Sequence, residues 1–346
     1  MHLHLRTEEI ISLMGSIKMN YNTKKHKKTN RLSNFISCVS ICAVSAFISV
    51  GAASEAYATE GGATSFPVDV DTIGDGFLPA PGTGALDIYT QWYKATSYAG
   101  PSGHSSVPGF DLSTFVVSPR LLYTLPIKLN LLSSFESYPT IGIIQPIMNL
   151  GLNYYGKGSI FGLGDASIET DLSFDRPQSN YFSFVGFITN LPTGAYNTGS
   201  GSRSLGLNYY TFNPQYLFSW FPTPRLEVDE YVGFDINTTN NTTHYHSGAD
   251  FDNDYGLNYT AFPEALPNVK LGIQGYFYKQ IQDDTVNGQQ ASNDGNRGQS
   301  FGIGPQIAIK MFGGKGGIDL KYTHQFAVRN QPKGDKFWFE IAIPFS

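Results

Sequence analysis

The first residues that could do chemistry form an acidic run, Asp250-Phe251-Asp252-Asn253-Asp254-Tyr255-Gly256. Carboxylates at alternate positions suit calcium. A helix–loop–helix calcium loop also needs glycine at its sixth position and an acidic residue at its twelfth. Those positions hold Tyr255 and Ala261, so the run reads better as the polar face of a strand, with non-specific divalent binding at a loop mouth left open. His244 and His246 share a strand face, but zinc needs at least one further ligand, and their Asn- and Thr-rich surroundings suit a solvated loop. A Gly-Xaa-Ser-Xaa-Gly nucleophile elbow is absent. Beyond residue 58 the histidines are His104, His244, His246 and His324. His324 falls among apolar neighbours, a poor place for a base. The expectation is no enzyme, no cofactor and no metal centre, with a hydrolase of dispersed residues as the least favoured reading.

These residues sit on elements with a period of two. In 165–175, Ile168, Thr170, Leu172 and Phe174 oppose Asp165, Ser167, Glu169, Asp171 and Ser173. In 226–237, Leu226, Val228, Glu230, Val232, Phe234 and Ile236 oppose Glu227, Asp229, Tyr231, Gly233, Asp235 and Asn237. The acidic run continues the theme, with Phe251, Tyr255, Leu257 and Tyr259 against Asp250, Asp252, Asp254 and Asn258. Segments near 269–278, 301–310, 318–329 and 337–345 alternate likewise. Such alternation marks strands with one apolar and one polar face. No stretch after residue 58 holds an apolar face at helical spacing. Long Gly-, Asn-, Asp- and Ser-rich connections separate the strands at 98–109, 192–204, 237–249, 282–299 and 330–336. Short turns such as Phe221-Pro222-Thr223-Pro224 come between them.

The 346-residue chain is only 15% charged and 14% aromatic, with a net charge of −5. Soluble domains carry about 25% charge. An acidic balance does not suit nucleic acid, whose phosphates need excess Lys and Arg. The N-terminus supplies an address. Lys24, Lys25, Lys27, Lys28 and Arg31 precede an uncharged run, Phe35–Ala53, and Ala56-Tyr57-Ala58 follows. Positive region, apolar region and small-residue cleavage site define a secretory signal over 1–58; residues 1–18 precede a second methionine, Met19, and lie upstream of the true start on this reading. Both cysteines, Cys38 and Cys42, fall inside it, so the exported chain holds together without disulfides. Seven of the 23 Lys and Arg and three of the 28 Asp and Glu lie before residue 59, which leaves 16 against 25, a net charge of −9.

An alternating sheet can put its apolar face inward, as in a soluble sandwich, or outward toward lipid. Long strands of about ten residues favour the membrane. So do aromatics near strand ends, where a girdle belongs: Tyr89, Trp92 and Tyr93; Tyr209 and Tyr210; Trp220; Tyr276 and Tyr278; Phe337 and Trp338. A closed sheet pairs every backbone group, as lipid requires, and its lumen can then hold the carboxylate rows. The expected fold is all-β, a transmembrane antiparallel barrel of about twelve strands over 85–346, after a cleaved signal. Residues 59–84 read as a plug-like or periplasmic lead-in.

A set of short motifs carries a family resemblance. It opens with Gly76-Phe77-Leu78-Pro79-Ala80-Pro81-Gly82-Thr83-Gly84-Ala85 and continues with Leu191-Pro192-Thr193-Gly194-Ala195-Tyr196. Phe234-Asp235-Ile236-Asn237 leads to Thr243-His244-Tyr245-His246-Ser247-Gly248. Gly275-Tyr276-Phe277-Tyr278-Lys279-Gln280 is followed by Asp283, Asp284 and Gly288; Gly304-Pro305-Gln306 and Gly334-Asp335-Lys336-Phe337-Trp338 complete the order. Together they resemble the outer-membrane family of the MetA pathway of phenol degradation; 126–160 matches least. The resemblance implies a channel in the outer membrane of a Gram-negative bacterium, passing small hydrophobic or aromatic compounds. Its expected partners are outer-membrane lipid and lipopolysaccharide, the barrel-assembly machinery and those small molecules, and no nucleic acid. A structural or adhesive barrel with a filled lumen is the alternative. Tyr276, Tyr278, Gln280, Asp283 and Asp284, where a strand enters a long loop, are candidates for a mouth that stacks a ring and bonds a polar head. Asp235 and Asn237 join them as ligand-path candidates. The competing reading is a girdle with a solvated loop.

Overall fold

The computed structural model describes residues 64–346 apart from 132–133, 154–157, 177–178, 199–202 and 292–293. The signal over 1–58 lies outside the described residues. Seventeen strands follow in order: β1 (Gly84–Ala99), β2 (Leu112–Thr124), β3 (Pro139–Ile144), β4 (Ile147–Leu152), β5 (Ser159–Leu163), β6 (Ser167–Ser173), β7 (Tyr181–Asn190), β8 (Thr211–Thr223) and β9 (Leu226–Asn237). Then come β10 (Tyr245–His246), β11 (Asp250–Tyr259), β12 (Val269–Gln280), β13 (Thr285–Val286), β14 (Gln289–Gln290), β15 (Gln299–Met311), β16 (Gly316–Arg329) and β17 (Gln331–Phe345).

All pairings are antiparallel, and β1 bonds to β17 on one side and β2 on the other, so the sheet closes. The barrel has twelve staves. Two of them are broken. β3 and β4 form one stave, interrupted at Gln145-Pro146, where proline supplies no N–H. β5 and β6 form the next, interrupted at Gly164-Asp165-Ala166. The Gln145 amide spans both breaks, donating to the Pro146 and Gly164 carbonyls at 3.1 Å each. The connections 191–210, 238–249 and 281–298, the longest but for 125–138, share one end, which makes that end the outer one. There β10, β13 and β14 form a small separate sheet.

The alternation points as expected. Glu227, Asp229, Tyr231, Asp235 and Asn237 are buried in the lumen, as are Asp250, Asp252, Asp254 and Asn258. Ile236, Leu257, Ile273 and Ile303 face outward and are exposed. Two details differ. Of the expected girdle residues, Trp92, Tyr210, Trp220 and Phe337 face outward and are exposed, joined by Tyr123, Tyr216, Tyr255, Tyr259 and Tyr322. Phe234, Phe251, Phe277, Phe301 and Phe326 touch in sequence across five staves, with ring centroids 4.7–5.8 Å apart. Phe337, Trp92 and Phe115 form a second outward cluster. Tyr276, Tyr278, Tyr209 and Trp338 are buried inside the barrel; the Tyr276 and Tyr278 hydroxyls and the Trp338 indole N–H find partners there rather than in interfacial water. The second difference is in β16. Ala327 has φ +50, and the register against β15 shifts between Gln299 and Phe301. This bulge reverses the faces that follow, so Val328 is buried and Arg329 is exposed.

Residues 64–83 run down the lumen from the outer end to the inner one. The Asn190 side chain, at the outer end, donates to the Ser65 carbonyl. Midway, the Asp254 carboxylate accepts the N–H groups of Asp69, Val70 and Asp71 at 2.8, 2.8 and 3.1 Å. Asp69 has φ +76, the left-handed geometry that lets successive amides converge on one anion. Lys321 donates to the Val70 carbonyl at 2.5 Å and Lys336 to that of Val68 at 3.0 Å. Lower down, Gln306 and Asn258 bond Thr72, Asp229 accepts from Gly74, and Ser219 accepts from Gly76. Phe77 finally stacks near Phe182 at the inner end, 4.5 Å between centroids.

Candidate substrate path

The expected path residues do not form one site. Tyr276 and Tyr278 pack with Val68 of the luminal segment. The Tyr276 hydroxyl accepts from Gln325 at 2.6 Å and donates to Ser300 at 3.3 Å, and Tyr278 donates to Asp250 at 3.3 Å. Asp235 accepts from Asn213, and Asn237 bonds Thr211 and Gly248. These four are internal structure that seats the segment and stiffens the wall. Gln280 and Asp284 tie down the loop over the outer mouth. Gly298 N–H donates to Gln280 at 2.5 Å, and Tyr245 donates to Asp284. Burial pushes the Asp284 carboxyl up to about 8, partly offset by its hydrogen bonds from Tyr245, Asn296 and Gln280. Asp283 lies on the same loop, paired with Arg297. None of the seven lines the main internal cavity.

That cavity lies on the other side of residues 64–70, against β2, β3 and β4, with a volume of about 500 Å³. Its outer half is mostly apolar: Leu112, Val116, Ile144, Met148, Leu150 and Leu152 come from the wall, with Thr114, Asn190, Ser204 and Gln331 among them. Phe66 and Val68 of the luminal segment and Leu205 and Leu207 of the loop after β7 close it. The inner half is polar, with Tyr89, Gln91, Ser118, Arg120, Gln215 and Lys336. Arg120 is neutralised in place. It donates through Nε to Glu169 at 2.8 Å and through a second guanidine nitrogen to the other Glu169 oxygen, and it reaches Tyr89 at 3.0 Å and Asp87 at 3.8 Å. The cavity therefore offers an apolar chamber above a polar floor with compensated charge, a volume typical of small-molecule sites.

A signal for this chamber exists in the sequence. β2 reads Leu-Ser-Thr-Phe-Val-Val-Ser-Pro-Arg-Leu-Leu-Tyr-Thr and β4 Ile-Met-Asn-Leu-Gly-Leu. β4 gives its luminal face only Met148, Leu150 and Leu152, and β2 places Leu112, Val116 and Leu122 there among Thr114, Ser118, Arg120 and Thr124. In a barrel one face meets lipid, so a strand without alternation must also present apolar side chains to the lumen.

A closed antiparallel barrel with a lipid-facing apolar band is an outer-membrane protein. The chain belongs to the family described as the MetA-pathway of phenol degradation, whose model matches residues 97–341. Among solved structures it is similar to the COG4313 outer membrane channel from Pseudomonas putida F1, at 18% identity and a TM-score of 0.66, covering 79% of this chain and 98% of that one. It also aligns with a FadL homologue from Pseudomonas aeruginosa, at 9% identity and a TM-score of 0.40, covering 85% and 99%. No curated protein matches the chain.

Proposed function

We propose that the protein carries small hydrophobic or aromatic molecules passively across the outer membrane, and that the chamber beside β2 and β4 is their path. One observation supports this above others: a cavity of about 500 Å³ with a largely apolar wall of Leu112, Val116, Met148, Leu150 and Leu152, inside a lumen that is otherwise lined with carboxylates, amides and hydroxyls. Water gains little from such a wall, whereas a ring buried there contributes roughly 25 cal/mol per Å² of apolar surface removed from water. Membership of a family tied to phenol degradation points to the same substrate class.

The test is uptake of an apolar probe, 1-N-phenylnaphthylamine, by intact cells that lack the gene and carry it back on a plasmid. The wild type should restore uptake. Leu150→Trp, which fills the chamber, should not. Equal uptake with and without the protein would remove the transport reading.

A second reading draws on the filled lumen. Residues 64–83 occupy the axis and are held by the bonds described above, as a structural or adhesive barrel would require. Such a barrel would be silent in planar bilayers and would leave probe uptake unchanged.

A further inference from the structure

On one side of the barrel the aromatic girdle carries a cationic rim. On β12, Lys279 lies two residues beyond Phe277 toward the outer end, and on β1 Lys94 lies two residues beyond Trp92. Residues two apart on a strand share a face, so each ammonium stands outward above a ring. On β17, Asp335 and Lys333 follow in the same way above Phe337. All four side chains are exposed.

β16 reaches the same arrangement through its bulge. Unbroken alternation would set Val328 outward above Phe326 and turn Arg329 into the lumen. The bulge at Ala327 exchanges them, so that Val328 is buried and Arg329 is exposed outside. The Gln299 side chain donates to the Ala327 carbonyl at 3.0 Å and holds the bulge. Arg329 is then in register with Gln299 of β15, and Gln299 with Lys279 of β12. A strained residue thus puts a guanidinium in the rim where the simple pattern would put valine. The rim runs over β12, β15, β16, β17 and β1, which are consecutive in the sheet. By contrast, β6, β7, β8, β9 and β11 contain no Lys, Arg or His.

Part of this charge is already answered. Lys94 is paired with Asp111, and His324 with Asp335 at 2.8 Å. Lys279, Arg329 and Lys333 make no ion pair among the described residues. Below the rim the outer wall is grooved. Trp92, Phe115, Phe337 and Tyr322 line a hollow of about 390 Å³, with Lys94 and Asp335 at its outer edge. Trp92 touches both Phe115 and Phe337, with ring centroids 5.0 and 5.8 Å apart. Water would serve a cation equally well on any stave. Confinement of the cations to one arc, beside an apolar groove, suits a ligand with an anionic head and apolar chains.

We propose that this arc binds one lipopolysaccharide molecule of the outer leaflet, with its phosphates against Lys279, Arg329 and Lys333 and an acyl chain in the groove below Lys94. Guanidinium grips phosphate through paired N–H donors, and ammonium meets it as a point charge. A phospholipid brings one phosphate above its chains. Three cations without an ion pair, next to one groove, match a head that carries more than one. The site lies on the outside of the wall, so it stands whether or not the chamber carries anything.

The test titrates the folded protein in detergent with three lipids: bisphosphorylated lipid A, the same lipid A stripped of phosphate, and phosphatidylglycerol. Native mass spectrometry counts the bound lipid. The wild type should bind a single lipid A at least about tenfold tighter than either of the others, because charge-assisted bonds to phosphate are the strong ones. Lys279→Gln with Arg329→Gln and Lys333→Gln should abolish that preference. Ser113→Trp, which fills the groove, should weaken lipid A binding by about threefold or more, as buried chain surface is lost. Lys128→Gln with Lys315→Gln, which removes exposed cations at the inner end, should leave binding unchanged. Equal wild-type affinity for phosphorylated and stripped lipid A would overturn the phosphate site, and this comparison needs no variant to fold. Equal affinity for phosphatidylglycerol would overturn the assignment to lipopolysaccharide and make the arc a general anionic-lipid surface. An undiminished preference in the triple variant, or an equal loss in the inner-end variant, would overturn the assignment to the rim. Unchanged binding by Ser113→Trp would overturn the place of the acyl chain.

Discussion

The Asp254 carboxylate accepts the backbone N–H of Asp69 at 2.8 Å, across a separation of 185 residues. Val70 and Asp71 donate to its second oxygen. An anion with three amide donors is a strong fixture, since each bond to a charged group contributes about 1.5–3 kcal/mol. Asp254→Asn removes the charge and turns one acceptor into a donor that faces N–H groups. The expected outcome is a luminal segment that leaves its seat. Limited proteolysis should then cut within 64–83 in the folded barrel, and single-channel conductance should rise several-fold. A segment as protected as in the wild type would show that the remaining bonds, from Lys321, Lys336, Gln306 and Asn258, suffice without Asp254.

Asp284 makes the outer loop sensitive to pH. Burial raises its carboxyl to about 8 from an unfolded value of 3.8. The folded loop therefore keeps a proton that the open loop gives up above about pH 4. For a raised acid, the stabilisation is whole below pH 4, declines as pH rises and is gone above about 8. Hydrogen exchange over 281–298 should accelerate between pH 6 and pH 9 by more than the intrinsic base-catalysed rate explains. Asp284→Asn cannot ionise, and its excess acceleration should vanish. Identical profiles for both proteins would mean that Asp284 does not control the loop.

The ion pair at the chamber floor offers a second measurable pair. Glu169 is fully buried and holds Arg120 through two contacts. Removing one partner of such a pair strands the other charge and costs roughly 3–5 kcal/mol, whereas replacing both with apolar groups of like size is much milder. Glu169→Gln should lower the temperature at which the barrel loses its heat-modifiable gel mobility. Arg120→Met with Glu169→Met should recover most of that loss. A double variant worse than the single would argue that Arg120 has essential partners beyond Glu169, Tyr89 and Asp87 being those in reach.

The wall of this barrel was legible from sequence because lipid imposes a strict rule on it. Each residue of β9 and β11 must face either hydrocarbon or lumen, and the luminal rows Glu227–Asn237 and Asp250–Asn258 obey this; on the outer face Glu230 and Asn253 depart from it, bonded to each other at 3.1 Å. The chamber was illegible by the same rule, because Val116, Met148 and Leu150 face the lumen yet have the chemistry of the outer face. Tyr276 and Tyr278 misled for a related reason. A tyrosine near a strand end suits a girdle and a luminal hydrogen bond equally, and only the pairing of Tyr278 with Asp250 and of Tyr276 with Gln325 decides. The course of residues 64–83 depended on contacts such as Asp69 with Asp254, which no local pattern encodes.

Ala327 marks the place where alternation fails inside a strand, and the failure has an energy that can be measured. Its φ of +50 lies in the left-handed region, where a non-glycine residue costs roughly 1 kcal/mol. The bulge there turns Val328 to the lumen, buried at 2% exposure, and Arg329 to the outside near the outer end. Glycine adopts this conformation freely but gives up more freedom on folding, so the two effects oppose. Relief of strain is the larger at a positive φ, and Ala327→Gly should stabilise the barrel by up to about 1 kcal/mol. Ala327→Val, β-branched and strongly disfavoured there, should destabilise it by more than that. Urea unfolding in lipid vesicles reads both. If valine were tolerated as well as alanine, the bulge would be absent in the membrane, Val328 would face lipid and Arg329 the lumen, as an unbroken alternation would place them.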